Sequence, residues 1–287
     1  ALPISVIGAV NNFTQSVELL DEWYKKYHKK ENLINFELGF HAEYTTKKEI
    51  LEGIADLAEK YKAPVYTHNS ESESEVAQCI ERTKVTPTVY MDRLGIFNYG
   101  GGFYHCVHMT QNDLDIVKEH NISVITNPAS NLKLASGIAP IDHMLKEGIN
   151  LAIGTDGPAS NNCLDMFREM FLVTALAKYR ENDASAVDAL EVLKMATIGG
   201  AKAMNLTDCD VLAEGKEADL IMIDLNQPNM QPIHNIQKNL VYSGSKQNVK
   251  LTMVAGKILY ENGEFFIGTD AYKIYEKAND IAERIVK

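Results

Sequence analysis

The sequence predicts an α/β fold: a parallel sheet covered by helices on both faces, then a small antiparallel β unit and a terminal helix. Three observations predict it. Short β-rich runs alternate with helical patterns from Pro3 to about Leu206. Those runs are apolar throughout, as strands buried on both faces require. Beyond Leu206, short strands joined by tight turns take over.

The strand-like runs are ISVIGAV (4–10), INFELGF (34–40), PVYTH (64–68), GFYHCV (102–107), ISVIT (122–126) and INLAIGTD (149–156). Between them, Ile50, Ile54, Leu57, Ala58 and Tyr61 mark one amphipathic helix, and Leu114, Ile116 and Val117 mark another. Gly100, Gly101 and Gly102 read as a turn into a strand, since no GK[ST] follows to make a phosphate loop. Helices are expected at 163–180, 186–197 and 199–205. Six β/α units satisfy a doubly wound sheet, whereas an eight-stranded barrel needs two more. Further on, ADLIMIDL (218–225), NLVYSG (239–244) and VKLTMVAGKILYENGEFF (249–266) read as strands, with EGKEAD and ENGE as turns. The closing TDAYKIYEKANDIAERIVK reads as a helix opened by an Asp, with Ala271, Ile274, Ala278 and Ile281 along one face.

Composition narrows the function classes. The 287 residues are 45% hydrophobic, enough for a large core. With 28 basic and 39 acidic side chains the net charge is −11, which argues against a nucleic-acid partner. Cys79, Cys106, Cys163 and Cys209 show no CxxC spacing and suit buried thiols of a reducing compartment. No apolar run reaches membrane-spanning length, so no membrane association is expected. The expectation is a soluble cytoplasmic protein.

The chemistry gathers at the C-terminal ends of the parallel strands, where such folds place active sites. His41 follows INFELGF, His68 follows PVYT, His105 lies in GFYHCV and Asp156 closes INLAIGTD. Imidazoles and a carboxylate suit a borderline divalent ion such as zinc, with a position left open for water. Glu71, three residues beyond His68, then stands near the ion without ligating it, in the place of a general acid/base. Each residue has a plainer alternative. A lone His-x-x-Glu is as well explained by a strand end and a helix cap, with Ser70, Ser72 and Glu73 as capping residues. His28, His120, His143 and His234 read as ordinary surface residues, and Cys106 as core packing. His108 either supports the site from behind or caps the helix that follows. Asn127, Ser130 and Asn131 either touch substrate or tie down their own loop, and Asn161 and Asn162 pose the same choice.

The segments YTHNSESE, YHCVHM, TNPASNLKLASGIAP and GTDGPASNN resemble signatures of the amidohydrolase superfamily. Within it they are similar to the branch of methylthioadenosine/S-adenosylhomocysteine deaminases, guanine and cytosine deaminases and triazine hydrolases. EGKEADLIMIDL is similar to that branch's small β-domain. The resemblance implies a (β/α)8 TIM-type barrel lacking its first two strands over residues 1–206. A β-sandwich portion (207–266) and a C-terminal helix (267–287) follow. It implies His68 and Asp156 as metal ligands, with Glu71, His105 and Asp156 as catalytic groups. His41, Glu71, His105 and Asn131 are the implied substrate contacts. One divalent ion is implied, zinc in the first place and iron as the alternative. No Lys ends the INFELGF strand, so the bridged two-metal arrangement is not expected.

Two departures qualify this. The family's first strand supplies a His-x-His pair, and this chain contains none. The chain also opens abruptly with ALPISVIGAVNN, without Met or Arg. The expectation is a piece of a longer enzyme with an incomplete site, and an amino-acid carboxylate on the substrate is not secured. The expected activity is metal-dependent hydrolytic deamination of an aminopurine nucleoside or related small heterocycle. The alternatives are a guanine- or triazine-type amidohydrolase, or a catalytically inactive fragment or homologue. A homo-oligomer is expected from the family.

Overall fold

A computed structural model describes residues 13–30 and 33–286. The strand expected at 4–10 lies outside these described residues. The chain divides into two compact units, with the boundary between Asn205 and Leu206.

The first unit opens with α1 (Phe13–Tyr27), β1 (Leu38–Ala42) and α2 (Lys48–Tyr61). Ile50, Leu51, Ile54, Leu57 and Ala58 recur at helical spacing on α2 and are all buried. The helix stops where Lys62 turns left-handed. Next come β2 (Val65–Asn69), α3 (Glu73–Thr83) and α4 (Pro87–Arg93). A reciprocal Ser72–Glu75 capping box opens α3, so the cap pairs Ser72 with Glu75 rather than with Ser70 or Glu73. Then follow β3 (Gly101–His105), α5 (Gln111–Glu119), β4 (Ile122–Thr126), α6 (Pro128–Lys133), α7 (Ile141–Lys146) and β5 (Leu151–Ile153). The unit continues with α8 (Pro158–Asn161), α9 (Met166–Glu181) and α10 (Ala189–Lys194), and ends with a π-helical turn at 195–199 and α11 (Gly200–Ala203).

Among the described residues, β1 to β5 form one parallel sheet in strict sequential order. Each strand lies beside its predecessor, which is the order of a (β/α) barrel. A doubly wound sheet would reverse at a switch point. All five residues of β4 are buried, as a strand covered on both faces requires. The register pairs Ala42 with His68 and Asn69 with His105, which brings the C-terminal ends of the first three strands to one rim.

Several boundaries differ from expectation for identifiable reasons. β3 ends at His105 because His105 and Cys106 both take left-handed conformations, φ 71° and 50°. β5 is only three residues long, and the chain leaves it through a turn in which Asp156 is also left-handed. The expected 34–40 strand is displaced to 38–42.

Gly101 supports the sheet at its tightest point. Its φ is +150°, and a Cβ there would stand 1.9 Å from the Val65 carbonyl oxygen. Gly101→Ala is therefore expected to destabilise the fold by about 3 kcal/mol, through backbone strain plus overpacking. An unchanged midpoint in urea unfolding would contradict this.

The second unit contains β6 (Leu220–Ile223), α12 (Ile236–Tyr242), β7 (Val249–Val254), β8 (Lys257–Glu261), β9 (Glu264–Phe265) and α13 (Ala271–Val286). Its strands form an antiparallel sheet in the order β6-β7-β8-β9. Ala255–Gly256 and Asn262–Gly263 make the tight turns, all four residues at positive φ. Residues 239–244, expected as a strand, are instead largely the helix α12. Asn235 caps it by accepting from the Lys238 N–H at 2.9 Å, and Asn239 Nδ2 donates to the Met230 carbonyl at 2.9 Å. These local bonds override the β propensity of Leu-Val-Tyr. No helix among the described residues is long and apolar enough to cross a membrane.

Candidate active site

The rim of the parallel sheet carries the site, and its histidines are oriented by what lies behind them. At the end of β2, His68 Nδ1 donates to the His41 carbonyl at 2.7 Å, leaving Nε2 as a free lone pair. Burial, and next the neighbouring His105 imidazole, lower the His68 pKa to about 4, so this ring is neutral at pH 7. At the end of β3, His105 is 1% exposed and its Nδ1 lies 2.7 Å from Asn131 Oδ1. Its Nε2 is buried with no hydrogen-bond partner among the described residues. A buried ring nitrogen left without a partner there calls for an occupant. His41, at the mouth, places Nδ1 2.9 Å from Thr45 Oγ1. The Thr45 hydroxyl already donates to the Ala42 carbonyl at 3.0 Å, so His41 Nδ1 is the donor and its Nε2 an acceptor.

Asp156 follows β5. Burial by itself would raise its pKa, but hydrogen bonds from Ser130 (2.5 Å), Ser160 (2.8 Å) and the Gly157 N–H (2.7 Å) outweigh burial and hold the carboxyl below its usual range. Ligand atoms of His68, His105 and Asp156 all lie within 4.8 Å of one another. Two imidazoles and one carboxylate held ionised by its hydrogen bonds are a donor set that suits zinc, and the orphaned His105 Nε2 fits the same reading. Glu71 stands beside the cluster, its Oε2 3.7 Å from His105 Nε2. Its backbone N–H donates to Glu75 Oε2 at 2.8 Å, and Glu75 also accepts from the Ser70 N–H at 2.9 Å. Burial raises the Glu75 pKa despite these bonds.

The strand-end residues expected from the sequence, His68, Glu71, His105 and Asp156, thus converge, with His41 at their edge. Asn131 is 2% exposed and its side-chain carbonyl is taken up by His105, so it stands behind that histidine. Ser130 likewise reaches Asp156 rather than its own loop.

Residues 7–259 match the model of the Amidohydrolase family. The chain belongs to the amidohydrolase family. A curated 5-methylthioadenosine/S-adenosylhomocysteine deaminase from Thermoanaerobacter pseudethanolicus is 39% identical over 267 residues, covering 91% of this chain and 62% of the relative. A 5'-deoxyadenosine deaminase from Methanopyrus kandleri is 37% identical over 262 residues, covering 91% of this chain and 61% of the relative. The solved structure of an adenosine deaminase from Xanthomonas campestris with bound zinc superposes with a TM-score of 0.86 at 35% identity, covering 95% of this chain and 61% of that one. This amidohydrolase chain therefore spans about three fifths of the length of these relatives. The barrel-type α/β fold expected from the sequence is borne out.

The sequence of this amidohydrolase does not single out Glu169, and it leaves His108 and Asn161 between two roles. His108 does not cap the following helix, because Thr110 and Asp113 form that capping box. His108 Nε2 instead donates to the Ser136 carbonyl at 2.7 Å. Glu169, fully buried on α9, accepts from the Ala129 N–H (3.0 Å) and from Asn161 Nδ2 (2.8 Å), bracing the segment behind Asp156. Asn161 thus uses its Nδ2 to tie down its own segment. His28 and His120 are partly buried and not ordinary surface residues: His28 stacks on Tyr24, and His120 pairs with Asp92 at 2.8 Å. The Ser72-x-x-Glu75 and Thr110-x-x-Asp113 boxes did carry a sequence signature, a hydroxyl residue followed three positions on by an acid. The contacts His108–Ser136, Ala129–Glu169 and Ser130–Asp156 each span 26 or more residues of sequence.

Proposed function

We propose that residues 1–206 carry the catalytic groups of a zinc-dependent hydrolytic deaminase acting on adenine nucleosides of the methylthioadenosine, adenosine or 5'-deoxyadenosine type. The observation that carries this reading is the meeting of His68, His105 and Asp156 around a buried His105 Nε2 that has no partner among the described residues, with Glu71 3.7 Å away. The names of the relatives supply the substrate class.

His68 and Asp156 would hold the ion, with His105 beside them. When bound, zinc supplies the Lewis acidity that lets water act as a nucleophile at neutral pH. The rest falls to side chains of this chain. Glu71 removes a proton from the attacking water and delivers it to the ring nitrogen next to the carbon bearing the amine. Water oxygen forms the new C–O bond. The hydroxyl proton of the adduct then passes by Asp156 or Glu71 to the exocyclic nitrogen, the C–N bond breaks and ammonia leaves. His105 faces the reacting atoms through Nε2. His41, with Nε2 an acceptor, suits a donor group of the substrate.

The reading is tested on the longest natural form of the protein by metal mass spectrometry together with ammonia release from each nucleoside. About one zinc per chain and ammonia from an adenine nucleoside are expected. Zinc-loaded protein that releases ammonia only from guanine or a triazine would replace the substrate class. Release from no heterocycle would sink the enzyme reading.

A further inference from the structure

Glu71 has to present one carboxylate oxygen to the reacting atoms, yet its side chain has three rotatable bonds and stands at a partly open rim. Ser136 restrains it. Its Oγ donates to Glu71 Oε1 at 3.2 Å, across 65 residues of sequence, while Oε2 is the oxygen that faces His105 Nε2. Ser136 itself is 7% exposed and fixed on both sides of its backbone. Its N–H donates to the Asn131 carbonyl at 2.8 Å, and its own carbonyl accepts from His108 Nε2 at 2.7 Å. The turn around it is wedged in place. Ala135 and Gly137 both have positive φ, and a Cβ on Gly137 would stand 2.9 Å from Val107 Cγ1.

We propose that Ser136 is a positioning residue that engages Oε1 of Glu71 so that Oε2 is the oxygen that carries the proton. This rests on the reading of Glu71 as the proton carrier. A serine that merely tied down its own loop would bond locally, whereas this hydroxyl leaves its loop to reach the Glu71 carboxylate. The same short segment also holds the other two groups: Ser130 donates to Asp156, and Asn131 accepts from His105. Residues 130–136 thus act as one jig against which three strand-end side chains are aligned, and Ser136 is its contact to the acid/base. Loss of the hydroxyl frees the Glu71 carboxylate to rotate. That disturbs proton transfer and leaves nucleoside binding intact.

The test uses the longest natural form of the protein, loaded with zinc, with adenosine and methylthioadenosine as probes. Ser136→Ala is expected to lower kcat by about 10- to 100-fold, the range for a hydrogen bond to a charged group, with KM changed by less than about twofold. Zinc content and thermal midpoint should match wild type, and Ser136→Thr, which keeps the hydroxyl, should recover most of the lost kcat. A normal kcat in Ser136→Ala overturns the proposal. So does a fall in kcat matched by loss of zinc or of the thermal midpoint, or a Ser136→Cys variant, with its weaker donor, that equals wild type. Glu71→Gln is run alongside. If it retains full activity, the proton-carrier reading fails and the Ser136 proposal with it. If Glu71→Gln is inactive and Ser136→Ala is normal, only the Ser136 proposal fails.

Discussion

Glu71→Gln is expected to lower deaminase turnover by about 100- to 10,000-fold, the contribution of a positioned general acid/base, while zinc content stays at the wild-type level. The amide keeps the shape of the side chain and can still accept from Ser136 Oγ, so packing is preserved. It cannot take a proton from water or hand one to a ring nitrogen. Its distance from His105 Nε2, 3.7 Å through Oε2, puts it beside the cluster without making it part of the donor set. Metal binding should therefore be indifferent to the change. Turnover and zinc stoichiometry measured on the same sample check this, and loss of zinc in Glu71→Gln would mean that the carboxylate is a ligand.

His68→Ala is expected to weaken zinc binding by at least about 100-fold, because even partners behind a ligand are worth about 10- to 100-fold and this substitution removes a proposed ligand itself. His68 is prepared for that role from two directions. The His41 carbonyl takes its Nδ1 proton, fixing the tautomer that offers Nε2, and burial keeps the ring neutral with a pKa near about 4, so binding displaces no proton. Asn131→Ala should give the smaller effect, since it loosens His105 without removing a nitrogen from the cluster. Competition against a chelator ranks the two variants. Equal zinc affinity in His68→Ala and wild type would show that the ion is held elsewhere.

The candidate site residues were legible because each sits at a repeated place in the chain, the end of a β-rich run. His41, His68 and His105 follow three such runs, and parallel pairing carries their ends to one rim. The segments around Asn131 and Asp156 were equally visible, but what they do was not. From the sequence, substrate contact and loop closure are equally open to Asn131 and Ser130. Their partners, His105 and Asp156, lie on other strands and are reached only when the sheet closes. Residues 239–244 failed for the opposite reason: a strong β propensity was outweighed by an asparagine cap whose geometry no single-residue preference encodes.

By itself, the sequence determined which groups could take part: three imidazoles and an aspartate at strand ends, with a carboxylate three residues past one of them. Residue type and spacing along a strand are local, and local order suffices to choose ligands and an acid/base. Only the tertiary structure decided how those groups are set to work. The tautomers of His68 and His105, the ionised state of Asp156 and the orientation of the Glu71 carboxylate all depend on hydrogen bonds and burial supplied by distant segments. Protonation and orientation are properties of a surrounding, and that surrounding exists only once the chain has folded.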